Sequence, residues 1–210
     1  MSRDPSTSAR ARRSTRSKEP TPAPTAAQLH EAALSYLTAR AASAAQVERA
    51  LERRVAAWAR RAVRAGTDES SVHDEARRAR DAIAGVLERL SSSGLVDDER
   101  FARQRASALA RGGKSRRAVV FDLARRGVEE SIAREAGARD AATELAAAVT
   151  FARKKRLGPF AKETPSPELR RKWLAAFARA GYGYDVAERA LRLDRESAEA
   201  IVRELRPAGW

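Results

Sequence analysis

Adjacent carboxylates are the first candidates for chemistry in this sequence. Asp97 and Asp98 stand between an apolar pair and a run of arginines in SSSGLVDDERFARQRA, residues 91–106. Two neighbouring aspartates could serve as an acid–base pair or hold a cation. Either role needs partner groups, and the surrounding sequence offers none. At the start of a helix, consecutive side chains also diverge by roughly 100° about the axis, which disfavours a shared ion. A capping role, by contrast, employs every residue of the segment. With Asp97 as N-cap, Val96 and Phe101 take the two positions of a hydrophobic staple, while Asp98 and Glu99 fall in the first turn, at the positive end of the helix dipole. Gly94 closes the helix before. Such a cap contributes about 1 kcal/mol.

Other chemical signatures fail in similar ways. GGKS at 112–115 has the ending of a phosphate-binding loop, but the motif requires glycine where Ala108 stands, and a preceding strand. A turn followed by a helix cap accounts for the four residues. His30 and His73, the only histidines, lack metal-ligand spacing, and there is no cysteine. Neither a nucleophile elbow nor a dinucleotide fingerprint occurs. The sequence therefore predicts no enzyme, no catalytic residue, no metal and no cofactor. Lack of cysteine fits a reducing cytosol, and no run of 18 apolar residues is present. The Arg/Ser-rich N-terminus has no apolar core of the secretory kind. A cytoplasmic protein without membrane contact is expected.

Charge carries more information. The 210 residues hold 42 Lys plus Arg against 28 Asp plus Glu, a net +14, which favours polyanions or acidic protein surfaces as partners. The excess is not spread evenly. Residues 100–126 contain nine basic side chains and one acid, and residues 151–182 contain nine and two, whereas residues 28–99 are nearly balanced. Residues 1–27, rich in Ser, Thr, Pro and Arg without periodicity, read as a disordered basic arm.

The elements that would present these charges are helical. Alanine and arginine dominate and strand-like alternation is missing. The two basic stretches are related: RRAVVFDLARRGVEESI (116–132) matches RRKWLAAFARAGYGYDV (170–186) at a constant offset of 54, with Gly127 over Gly181. A weaker copy precedes the middle one by 72 residues, aligning Ser43, Val47 and Leu51 with Ser115, Val119 and Leu123. Three copies of one unit imply a stacked array. In the middle copy, helices are expected at about 98–110, from Ser115 as N-cap to Arg126, and at 129–137. In the third they fall near 140–156, 166–180 and 184–192. Val119, Val120, Leu123 and Ala124 share one side of their helix, as do Trp173, Leu174, Phe177 and Ala178. Unit one is irregular. Its second helix, from about Ala44, runs through WARRAVR without a glycine stop, and a polar connection, GTDESSVHDE, leads to a helix bearing Ile83, Val86, Leu87 and Leu90.

The fold class predicted is all-α, an elongated array of three tandem three-helix units. They are assigned to 28–96 (with an insertion around 55–76), 97–139 and 140–193, and 194–210 reads as a C-terminal tail. Trp173, Phe177 and Phe101 sit at core periodicity; Trp58, Tyr182 and Tyr184 remain open between packing and base stacking. The basic positions repeat: Lys114, Arg116, Arg117, Arg125 and Arg126 in the middle unit, Arg170, Arg171, Lys172 and Arg179 in the third. These nine are the expected contact residues, while Gly94, Asp97, Asp98, Phe101, Gly127 and Gly181 are structural.

GLVDDERFA, then Arg111-Gly112-Gly113, then VVFDLARRGV resembles the regulatory protein RecX family. ALSYLTARAASAAQVERAL looks like that family's opening helix pair, and FARAGYGYDVAERAL like its third-unit ending. The resemblance spans about residues 29–192. It departs from the family where glycine is missing after LERR, in the insertion, and at Tyr182. It implies a partner, RecA. The protein would lie in the helical groove of the RecA–DNA filament and inhibit strand exchange, ATP hydrolysis and coprotease activity in DNA repair, recombination and the SOS response. Weak, salt-sensitive binding to single- and double-stranded DNA and a monomeric state accompany this expectation. The alternative is a basic helical nucleic-acid-binding protein that acts without RecA.

Overall fold

A computed structural model of the chain describes residues 22–204. Among them are ten α-helices and no strand, so the fold is all-α. Helices α1 (Ala26–Ala39), α2 (Ala44–Arg64) and α3 (Glu69–Ser92) enclose one buried cluster that includes Leu29, Leu51, Trp58, Ile83 and Leu90. A second, around Phe101, Val119, Leu123 and Val128, lies among α4 (Asp98–Arg111), α5 (Arg116–Arg125) and α6 (Glu130–Gly137). The third gathers Val149, Phe160, Trp173, Phe177 and Leu191 from α7 (Ala141–Lys155), a 3-10 turn at Gly158–Phe160, α8 (Pro167–Arg179), α9 (Tyr184–Arg192) and α10 (Arg195–Glu204). Each group, two of three helices and a third extended by α10, thus buries its own apolar stripe, as expected of a repeat array.

Local chemistry sets the helix ends. The side chains of Thr25, Ser43, Asp68, Asp97, Ser115, Asp140 and Ser166 each accept from a backbone amide of the first turn, satisfying donors that the helix leaves unpaired. After α5, Gly127 adopts φ +82°, and the amides of Gly127 and Val128 return to the carbonyls of Ala124 and Leu123, the paired bonds of a glycine-terminated helix.

Unit one's irregularity has a simple geometry. At the 72-residue offset, the glycine corresponding to Gly127 would stand at position 55; the chain places Val55 there and stops at Gly66 instead, with φ +90°. The delay is 11 residues, close to three helical turns. The apolar seam of α2 (Val47, Leu51, Val55, Trp58, Ala62) therefore continues on the same face. Helix α3 is lengthened to match, with buried Val72, Ala76 and Ala79 preceding Ile83, Val86 and Leu90. The polar connection expected over GTDESSVHDE shrinks to 65–68, because Asp68 caps α3 by accepting from the Ser71 amide at 2.9 Å.

Two boundaries also move. Residues 1–21 of the expected arm lie outside the described residues. Its last part is ordered: Ala23 packs on the first cluster and α1 begins at Ala26 behind a Thr25–Gln28 capping box. The expected C-terminal tail holds α10, whose Ala198 and Val202 are buried in the third cluster. Residues 205–210, including Trp210, lie outside the described residues.

Candidate functional site

Successive triplets meet at two joints with equivalent serine, carbonyl and amide atoms. In the first, the Ser43 hydroxyl donates to the Arg126 carbonyl at 2.7 Å while accepting from the Gln46 amide at the start of α2. The Asp98 carboxylate accepts from the Ala44 amide at 2.8 Å. In the second, the Ser115 hydroxyl donates to the Ala180 carbonyl at 2.6 Å and accepts from the Ala118 amide, and both oxygens of Glu144 accept from the Arg116 amide at 3.2 Å. In both cases the N-terminus of a unit's second helix abuts the C-terminus of the next unit's second helix. A carboxylate from the next unit's first helix completes the contact, at the positive end of the helix dipole. Gly127 and Gly181 permit the approach: a Cβ at Gly127 would stand 2.4 Å from that of Ala45, and one at Gly181 2.8 Å from the Ser115 oxygen.

The joints account for the aspartate pair. Asp97 caps α4 through the Arg100 amide at 2.8 Å, and Val96 and Phe101 are buried as a staple requires. Asp98, placed by sequence in the first turn of α4, in fact caps the neighbouring unit's α2. The GGKS turn is equally structural. The Lys154 ammonium donates to the Gly112 carbonyl at 2.7 Å, and a Cβ at Gly113 would come within 2.9 Å of the Phe151 amide nitrogen. Among the described residues, no group of three or more acids or histidines could hold a metal.

The nine basic candidates divide in two. Lys114, Arg116, Arg117 and Arg125, around α5, and Arg171, Lys172 and Arg179, on α8, are exposed. Among the described residues none of these seven forms an ion pair. Arg126 and Arg170 depart from the expectation. Asp122 receives Arg126 at 2.8 Å and Arg105 at 2.9 and 3.2 Å. The Arg105 hydrogen bonds, helped by Arg126 and opposed by burial, lower its carboxyl to about 2. Arg170 meets Glu188 at 2.5 Å, with Arg192 on the same carboxylate at 3.1 Å. Burial pushes the Glu188 carboxyl up, and hydrogen bonds and charge from Arg170, Tyr184 and Arg192 more than reverse this. Both arginines are spent on internal acids, Asp122 one helical turn before Arg126 and Glu188 18 residues beyond Arg170.

Among the aromatic residues, Trp173, Phe177 and Phe101 are buried as expected, and so are Trp58 and Tyr182. Rings of Phe151, Phe177 and Tyr182 pack with centroids 5.1–5.6 Å apart. Tyr184 is exposed and its hydroxyl donates to Glu188 at 3.2 Å. Sequence reasoning missed Phe121. It is 63% exposed on α5, with the Arg125 guanidinium 5.9 Å from its ring centre. Its repeat counterparts are Arg49 and Ala175, so comparing the copies draws no attention to it. An open groove runs beside it, lined by Arg116, Arg117, Val120 and Phe121 of α5 and including the acids Glu130, Asp140 and Glu144.

Residues 97–136 match the family model described as RecX, second three-helix domain. The chain is 35% identical over 169 residues to the regulatory protein RecX of Myxococcus xanthus (strain DK1622), covering 78% of this chain and 83% of that protein. Identity to the regulatory protein RecX of Mycobacterium sp. (strain JLS) is 31% over 164 residues, covering 76% and 78%. The crystal structure of RecX from Lactobacillus salivarius shares the fold, with a TM-score of 0.55 at 17% identity over 86% of this chain and 96% of that one. On this evidence of shared sequence over most of both chains, the chain belongs to the regulatory protein RecX family.

Proposed function

We propose that the chain binds the RecA–DNA filament and restrains RecA, damping its recombinase, ATPase and coprotease activities during DNA repair. The observation that carries this reading is the recurrence of unpaired cations on α5 and α8, helices tied end to end by the Ser115–Ala180 joint. Repeated cationic faces on a jointed array suit a partner that is itself a repeating polymer, because each unit can meet an equivalent site. The units are 28–96, 97–139 and 140–193, with α10 an addition to the last. The chain acts as a cytoplasmic monomer and binder with no catalytic step of its own, and its affinity for bare DNA is weak and salt-sensitive.

The test measures ATP hydrolysis by RecA on single-stranded DNA with and without the full chain. Inhibition at micromolar concentration is expected. Unchanged hydrolysis, with normal helical content by circular dichroism, refutes the reading. The exposed Phe121 among arginines favours a second reading, a nucleic-acid binder acting without RecA. Salt separates the two. Binding driven by phosphate alone falls linearly on a log–log plot as salt rises, whereas a filament regulator keeps its preference for RecA-coated DNA at moderate salt.

A further inference from the structure

The face of α5 that carries Phe121 combines three features that its role in the array does not use. The ring is 63% exposed. Arg117 and Arg125 stand four residues to either side, on the same helical face about 6 Å away along the axis in each direction. The one acid of this stretch, Asp122, is held by Arg105 and Arg126, and neither Arg117 nor Arg125 forms an ion pair among the described residues. Lys114 and Arg116 add unpaired charge at the N-terminal end of the helix.

We infer that this face is a stacking platform for single-stranded nucleic acid: one base lies on the Phe121 ring, and phosphates on either side of it meet Arg117 and Arg125. The inference deepens the reading of α5 as a binding surface but does not require RecA. Alternating flat apolar groups and regularly spaced anions describe an unpaired strand, and the arginine–phenylalanine–arginine stripe is the complement of that alternation. A duplex keeps its base faces stacked inside and could use only the arginines. Stacking on a ring is open to every base, so the platform is tolerant of sequence. The guanidinium of Arg125, already beside the ring at 5.9 Å, can add a cation–π contact to a stacked base.

The experiment measures binding of a fluorescein-labelled oligothymidylate, and of a duplex of equal length, to the full chain and to Phe121→Ala, Phe121→Leu and Phe121→Trp. Because Phe121 is exposed, all three variants should retain the parent's helical content and melting midpoint. Stacking predicts a roughly tenfold loss of single-strand affinity for both Phe121→Ala and Phe121→Leu. Phe121→Trp should bind at least as well as the parent, with its new indole emission quenched by the oligonucleotide. Duplex affinity should be unchanged in all three. Arg117→Ala and Arg125→Ala should each lower the log–log salt slope for the single strand by about 0.7. Equal affinity of the Phe121→Leu variant and the parent, or equal losses on single strand and duplex, overturns the inference. So does a loss of RecA inhibition without loss of single-strand affinity, which assigns the face to a protein contact. If the parent chain binds the oligonucleotide as described but fails to inhibit RecA, the platform stands and the filament reading falls.

Discussion

Substituting Gly127 by alanine probes the joint between the first and second helix triplets, and Gly66 provides an internal control. Both residues end a helix with similar positive φ, +82° and +90°, so a Cβ introduces comparable backbone strain, about 1 kcal/mol at each. Their surroundings differ. A Cβ at Gly66 meets nothing within 4 Å, whereas one at Gly127 stands 2.4 Å from the Ala45 Cβ. Ordinary carbon contacts are about 3.5–4.0 Å, so the two segments must separate by more than ~1 Å. That movement lengthens the Ser43–Arg126 bond of 2.7 Å and the Asp98–Ala44 bond of 2.8 Å, each worth about 1 kcal/mol. Gly66→Ala should therefore cost about 1 kcal/mol and Gly127→Ala about 3 kcal/mol. For a chain of this size, the melting midpoint should fall by roughly 2–4 °C in the first variant and 6–12 °C in the second. Thermal unfolding followed by circular dichroism reads the difference, and faster hydrogen exchange at the Ala44 and Gln46 amides in Gly127→Ala alone would locate it. Equal midpoints for the two variants would refute the close-approach argument.

Ser115→Ala removes both the cap on the Ala118 amide and the donor to the Ala180 carbonyl, a loss of about 2 kcal/mol; urea unfolding that matches the parent within ~0.5 kcal/mol counts against the second joint. Asp122, lowered to about 2 from 3.8, contributes stability that is complete above about pH 4 and fades as pH drops toward 2. After allowance for partial exposure this amounts to about 1–2 kcal/mol, and the step should vanish from acid titrations of Asp122→Asn. Arg170→Ala should lower the melting midpoint by breaking the pair with Glu188. Arg171→Ala should leave the midpoint unchanged while weakening binding to polyanions; the opposite pattern would reverse the assignments of these neighbouring arginines.

Helix periodicity and capping were legible because they depend on residues close in sequence. Ser115, Gly127 and the Val96–Phe101 staple announced their turns directly. The repeat offsets also marked Ser43 and Ser115, and Gly127 and Gly181, as equivalent. What equivalence meant was not legible, since the joint bonds link residues 83 and 65 positions apart. Arg170 looked free for the same reason, since Glu188 lies 18 residues beyond it; the partner of Arg126, Asp122, stands one turn before it and was legible. The start of α3 hid behind polar letters, because Val72, Ala76 and Ala79 form a seam of small side chains that contrasts little with its flanks. Helix α10 escaped notice on the same grounds, having little beyond Ala198, Ile201 and Val202 to signal a buried face. Phe121 stood out only once its exposure was visible, since in sequence it belongs to the apolar run VVF.

Main-chain carbonyls and amides couple neighbouring triplets, met by two serine hydroxyls, two carboxylates and the cations of Arg49 and Lys154. The spacing of the triplets therefore rests on this joint set and not on the unpaired cations and the exposed ring of the outer flanks. Those flanks can exchange arginine for glutamate or phenylalanine for alanine over evolutionary time without bending the ruler on which they are mounted. One inherited geometry can in this way be re-addressed to differently charged polymers by surface substitution alone.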